Sequence, residues 1–197
     1  MAGFIVLEGI DGSGKSSVAK AVAEAIGERA VLTFEPTDSW IGAAVRQGAG
    51  KEVSPYTDAL LFMADRAQHT LEIANLVKEG RLVVSDRYYH STVAYQTAAL
   101  KAAGKGDNFD WLLDANTRIS LRPDITFIVF VDPELALERV GKRGSLSRFE
   151  RLEFLKEVQA NYERLARTEE GVVRLDGSEP LENVISRVLE DVKEAKL

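Results

Sequence analysis

The sequence predicts an α/β fold: a single domain whose five-stranded parallel sheet is flanked by helices on both faces. Three observations predict it. Short β-branched runs alternate with longer amphipathic ones along the whole chain. The run ITFIVFV at 125–131 is apolar on both of its alternating faces, as a strand covered by helices on both sides requires. No repeat, low-complexity tract or Pro/Gly/Ser linker interrupts the pattern, and 197 residues suffice for one well-buried core but not for two.

Taken in order, the strands are FIVLEG at 4–9, AVLTF at 30–34, RLVVSD at 81–86, ITFIVFVD at 125–132 and GVVRLD at 171–176. Helical spacing of small and aliphatic residues marks 15–26. A long helix at 57–78 draws an apolar face from Leu60, Leu61, Ala64, Ala67, Leu71, Ala74 and Leu76. Further helices follow at 91–103, 109–117, 133–140, 147–167 and 181–193. Ligands of such sheets bind beyond the carboxyl ends of the strands. Three strands end there in chemistry-bearing pairs: Glu8 with Gly9, Phe34 with Glu35, and Asp86 with Arg87.

Composition narrows the function. A net charge of −6 argues against general nucleic-acid binding while leaving room for a local basic pocket. Without cysteine there is no disulfide, thiolate catalysis or cysteine-based zinc site. His69 and His90 are too few for a histidine-rich metal centre. No apolar run reaches the length of a membrane span. The opening MAGFIVLEGI shows neither a basic leader nor a small-residue cleavage site, so the expected compartment is the cytoplasm.

The strongest motif is GIDGSGKS at 9–16, where Gly9, Gly14, Lys15 and Ser16 fit the P-loop pattern G-x-x-x-x-G-K-[ST] at full spacing. Glycines let successive backbone N–H groups curl toward one anion at the positive end of the following helix. Lys15 adds a point charge for the outer phosphates, and the Ser16 hydroxyl suits Mg2+. The bland alternative, a glycine-rich helix start with a chance lysine, does not explain the strand–loop–helix context. A bound nucleoside triphosphate, ATP with Mg2+, is the reading, with Asp11, Gly12, Ser13 and Ser17 completing the loop. The guanine-reading NKxD of a switch GTPase is missing.

The remaining motifs are ambiguous singly. In LVVSDRYYHSTVAYQ an acid for a metal's water shell stands beside a guanidinium that can grip a phosphate, although Asp86 and Arg87 also read as a helix cap and a surface cation. In LLFMADRAQH, Phe62 and Arg66 share a helix face and can stack on and hydrogen-bond a nucleobase. Alone they read as a core residue and a solvated charge. In RVGKRGSLSRFE, Arg139, Lys142, Arg143 and Arg148 surround a Gly/Ser loop at about 141–150, either a basic turn or a lid over a transferring phosphoryl group.

Together, in this order and spacing, these segments resemble the thymidylate kinase family of P-loop nucleoside monophosphate kinases over nearly the whole chain. The resemblance extends to EP at 35–36, RPD before the fourth strand and RLDGSEPLENV near the end. It implies a Mg2+-dependent transfer from ATP to dTMP by a cytoplasmic homodimer. By position it implies that Lys15 and Ser16 hold ATP phosphates and Mg2+, and that Asp11 lies near the acceptor and its sugar hydroxyl. Arg87 would bind the dTMP phosphate, with Asp86 in the metal network. Phe62 would stack on thymine and Arg66 reach its exocyclic oxygen. Glu35 and Pro36 would form a loop at the acceptor, while Ser91, Thr92, Tyr95 and Gln96 line base and sugar. Gly12 places the chain with members whose catalytic arginines, here Arg143 and Arg148, sit on the lid. Two departures stand out: Phe34 occupies a position usually held by arginine, and Ser147 replaces a lid aspartate.

Because the attacking group would be an already ionised phosphate oxygen, no strong base and no histidine are expected near the reacting groups. Two rivals remain at this stage. A kinase for another acceptor, a deoxynucleoside or another pyrimidine monophosphate such as dUMP or dCMP, is one; a nucleoside acceptor would need a base, and Glu35 could serve. A nucleotide-binding regulator is the other, and it gains little from arginines that exclude water.

Overall fold

A computed structural model describes residues 2–49, 51–141 and 148–197, the side chains of 148–150 excepted. In β1 (Gly3–Glu8) alternation sends Phe4 and Val6 to one face and Ile5 and Leu7 to the other, and all four are buried. A strand with two apolar faces belongs in the middle of a covered sheet. β1 is indeed central: with β2 (Ala30–Phe34), β3 (Leu82–Asp86), β4 (Ile125–Phe130) and β5 (Val172–Asp176) the order is β2-β3-β1-β4-β5, every neighbour parallel.

Two apolar layers close the sheet. Ile5 and Leu7 pack with Val18 and Val22 of α1 (Lys15–Ile26) and with Val184, Val188 and Val192 of α8 (Leu181–Glu194). Phe4 and Val6 share a cluster with Ile73 of α3 (Pro55–Lys78), Val93 of α4 (Tyr89–Ala102) and Leu112 of α5 (Phe109–Ile119). Ala136 of α6 (Pro133–Val140) and Tyr162 of α7 (Arg148–Thr168) complete that layer. The helices that follow the neighbouring strands β1 and β3 thus lie on opposite faces, and a crevice opens beyond the carboxyl ends of these strands.

Strands and helices stand within a few residues of the expected positions, with two corrections. One helix was not foreseen: α2 (Trp40–Gly48), whose start is capped by Ser39, the Ser39 Oγ accepting from the backbone N–H of Ile41 (3.2 Å) and Gly42 (3.1 Å). The expected apolar face of the long helix is only partly right: Leu76 packs against the core, but three of its members do not turn inward. Leu60 and Leu71 are 54% and 59% exposed and Ala64 is exposed too, whereas the inner face of α3 carries Ala59, Asp65, Arg66, His69 and Ile73. The helix faces a polar site as well as core, so Asp65, Arg66 and His69 are buried there with hydrogen-bond partners beside the apolar Ala59 and Ile73. Of the expected lid arginines, Arg143 lies outside the described residues, as does the side chain of Arg148, whose backbone opens α7.

Candidate active site

Between β1 and α1 the chain turns through Gly9, Gly12 and Gly14, all at positive φ. Gly14 precedes α1 in a left-handed conformation with no side chain capping the helix, so its first N–H groups remain available to an anion. Lys15 is 5% exposed, and its Nζ lies 3.6 Å from Asp11 Oδ1. Arg87 forms a close ion pair with the same Asp11 oxygen. Burial, then the nearby Arg87 charge, lowers the Lys15 pKa to about 8. Burial alone would push the Asp11 carboxyl up, but Arg87 and Lys15 hold it below its usual range.

Arg87 sits at the end of β3 with φ 76°, a left-handed conformation uncommon for a side-chain-bearing residue. Its backbone is held on both sides: its N–H donates to Leu7 O at 2.9 Å, and its carbonyl accepts from Ser85 Oγ at 2.7 Å. Its guanidinium lies 5.1 Å from the centre of the Tyr95 ring and donates to Ser91 Oγ at 2.9 Å. Beneath it is Glu8, wholly buried at the end of β1. Glu8 accepts from the backbone N–H of Tyr88 (2.7 Å) and Ser91 (3.2 Å), capping α4 from a different strand, and from the hydroxyls of Ser91 (2.6 Å) and Tyr162 (2.9 Å). Burial raises its pKa against the lowering by the Ser91 hydrogen bond and the Arg87 charge. One carboxylate therefore ties β1, the Arg87 turn, α4 and α7 together.

All the residues that the sequence assigned to an acceptor line one cavity of about 230 Å3, and Asp11 completes its wall. Glu35 and Pro36 enter from the end of β2 through a cis peptide bond, Phe62 and Arg66 from α3, and Ser91, Thr92, Tyr95 and Gln96 from α4. Arg66 is locked. Its Nη1 donates to Thr92 Oγ1 at 2.8 Å and Asn116 Oδ1 at 2.7 Å, and its Nη2 forms a close ion pair with Glu35. The second Glu35 oxygen is 3.0 Å from His69 Nδ1, and His69 Nε2 is 2.7 Å from Thr33 Oγ1. His69 thus stands behind the wall of the site, backing Glu35 from α3 without lining the cavity. His90, also buried, stacks on Tyr89 at 3.9 Å, and burial and then the Arg66 charge push its pKa down to about 3, leaving it neutral.

The loop after β2 is secured from two helices. The Asp65 carboxylate accepts from Thr37 N (2.7 Å), Thr37 Oγ1 (2.6 Å) and Ser39 Oγ (3.0 Å). Arg46 of α2 donates to the carbonyls of Pro36 (3.0 Å) and Thr37 (2.6 Å). Phe34 is 44% exposed and is not part of the cavity wall; the cations lining that wall, among the described residues, are Arg66 and Arg87. Across the P-loop lies a second cavity of about 400 Å3, bounded by Gly12, Ser13, Gly14 and Ser17 and by Arg139, Gly177 and Glu179.

The sequence profile of the family described as Thymidylate kinase matches residues 7–188. The chain belongs to the thymidylate kinase family. It is 40% identical over 200 residues to a probable thymidylate kinase of Methanosarcina mazei, covering 97% of this chain and 95% of that one. It is 40% identical over 194 residues to a probable thymidylate kinase of Pyrobaculum aerophilum, covering 96% of each. A thymidylate kinase of Brachyspira hyodysenteriae is 35% identical over 200 residues, covering 98% of this chain and 95% of that one.

Membership in the thymidylate kinase family gives Gly12 a physical meaning. A Cβ placed there would come within 2.2 Å of Ala136 O on α6, and its φ is 87°. No side chain, and so no P-loop arginine, fits at that position. Reading the sequence singled out Glu8 at a strand end and Arg139 among the loop cations without giving either a place in this site, and it missed Asn116, His69 and Tyr162, along with Gly177 and Glu179 on the far side. Glu8 carried a signal, since it ends a strand beside the P-loop, and His69 follows Arg66 within one motif. Asn116 carried none: it reaches Arg66 only because α5 packs beside α3.

A divalent cation fits the residues at hand. Ser16 is exposed on the first turn of α1, and Asp86 Oδ1 is shielded without a hydrogen-bond partner among the described residues. No cluster of three His, Cys, Asp or Glu among the described residues forms a cage of its own. That is the donor set of a Mg2+ shared with substrate phosphates rather than bound by protein alone.

Proposed function

We infer that the chain carries out the reaction of its family: a phosphotransferase that moves the γ-phosphoryl group of ATP onto the phosphate of dTMP, giving dTDP and ADP. The observation that carries this reading is the pair of cavities flanking the P-loop, with Lys15 and Arg87 converging on Asp11 at the junction. Two cations held on one carboxylate are already where two phosphate groups would meet.

The acceptor phosphate is ionised at neutral pH, so the residues have only to align it and neutralise charge. Arg87, held by Leu7, Ser85 and Ser91, would grip the acceptor phosphate. Lys15 and the loop N–H groups would hold the donor phosphates. Phe62 would stack on the base and Arg66 donate to its exocyclic oxygen. When bound through Ser16 and Asp86, Mg2+ would supply charge neutralisation across the donor phosphates. Arg143 and Arg148 are assigned to the transferring group on the family resemblance.

The nucleoside-kinase alternative loses its base, because both Glu35 oxygens are engaged by Arg66 and His69. A homodimer is supported by the exposed line of Leu60, Ala64 and Leu71 on α3, an apolar stripe of the kind a second copy covers. None of the described helices is long and apolar enough to cross a membrane, and the acidic, cysteine-free composition fits the cytoplasm, where these nucleotides are found. ADP release measured separately with dTMP, dUMP, dCMP and thymidine tests the reading. Release with dTMP and not with thymidine is expected; no acceptor-dependent ADP would end it.

A further inference from the structure

Gln96 lines the acceptor cavity and also a second cavity of about 340 Å3 beside it; Asp58 belongs to the wall of the second alone. Gln96 Nε2 donates to Asp58 Oδ2 at 3.0 Å. An amide's two ends are hard to tell apart by shape, but a carboxylate only accepts, so the end facing Asp58 is the NH2 group. The other end is then the carbonyl oxygen, to which no described group donates, on a side chain that lines the first cavity.

We propose that Asp58 is a positioning residue for substrate choice: by holding the Gln96 amide it presents a hydrogen-bond acceptor beside the donor Arg66, selecting thymine and uracil monophosphates against cytosine. The inference rests on the reading of this cavity as the pyrimidine site. Thymine and uracil show an N3–H donor next to an O4 acceptor. Cytosine shows the reverse, an N3 acceptor next to an amino donor. Arg66 can only donate, and Glu35, Thr92 and Asn116 leave it no freedom to turn. Cytosine would set its amino group against the guanidinium and its N3 lone pair against the Gln96 oxygen. Flipping Gln96 to accommodate it would press the Gln96 oxygen against the Asp58 carboxylate. Both mismatches leave buried polar groups unpaired, the arrangement that discriminates most strongly between isosteres. Asp58 needs no contact with the nucleotide to exert this effect.

The test compares kcat/KM for dTMP, dUMP and dCMP in the unaltered protein and in Asp58→Asn, with Asp58→Ala as a second variant and the melting temperature recorded for each. Asparagine both donates and accepts, so it permits Gln96 to turn over. The dTMP to dCMP ratio should fall about tenfold in both variants, while the dTMP to dUMP ratio stays constant because those bases share one edge. An equal loss for all three acceptors, or an unchanged dTMP to dCMP ratio, overturns the proposal and leaves Asp58 as a structural charge on the first turn of α3. Failure of the unaltered protein to phosphorylate dTMP would instead remove the reading of the cavity on which this inference rests.

Discussion

On one side of the P-loop the wall is made of side chains that hold one another: Arg66 by Glu35, Thr92 and Asn116, Arg87 by Ser91 and Asp11, and the turn beneath them by Glu8. On the other side three glycines, Gly12, Gly14 and Gly177, contribute only backbone to the wall, and no comparable web joins its lining among the described residues. The cavity assigned to the acceptor in the proposed function is prewired, and buried charges there must stay paired or become costly. The cavity proposed for the donor depends on shape, on where a Cβ does not stand. A base can be read only by groups fixed before it arrives, whereas a triphosphate is gripped by backbone N–H groups that glycine leaves free.

If this contrast holds, substitutions on the two sides fail in different ways. The largest effect is expected at the junction. Arg87→Ala should lower kcat with dTMP by about a thousandfold or more while ATP titrations change little; near-normal turnover would remove Arg87 from phosphoryl transfer. On the donor side, Gly12→Ala sets a methyl group against Ala136 O at a positive φ. ATP affinity should fall by about ten- to a hundredfold, with dTMP binding by calorimetry unaffected. A parallel loss of dTMP binding would break the division between the two walls.

On the acceptor side, Asn116→Ala removes a partner of Arg66 without touching the cavity. The KM for dTMP should rise about tenfold while that for ATP holds steady; equal rises would show that the web serves the fold and not the acceptor. The smallest effect concerns pH. The Lys15 pKa is lowered to about 8, so the charged form that phosphate needs is lost as pH rises through that value. In the free enzyme kcat/KM for ATP should stand at about half its plateau near pH 8, and a flat profile to pH 9.5 would contradict the burial of Lys15 as the cause.

Much of the site was legible because some of its chemistry is local. A P-loop is a backbone conformation, and its glycines Gly9, Gly12 and Gly14 stand within a few residues of one another in the chain. Phe62 and Arg66 were legible only as a pair, since each alone resembles core or surface. The face of α3 was misread for a related reason: Leu60, Ala64 and Leu71 repeat at helical spacing, but spacing does not say which face meets the sheet. What lies under the helix decides that, and here it is Glu35 and Thr92, partners for charge rather than for leucine.

By itself, then, the sequence determined the parallel sheet, the phosphate-holding loop and the order of the motifs, because alternation, glycine placement and helix spacing act within a few residues. Only the tertiary structure decided that Glu8 caps a helix some 80 residues away, that Asn116 and His69 brace the acceptor wall from behind, and that Gly12 lies under the backbone of α6. Those choices depend on which distant groups packing brings within hydrogen-bond reach, and a buried charge accepts only the partner that arrives.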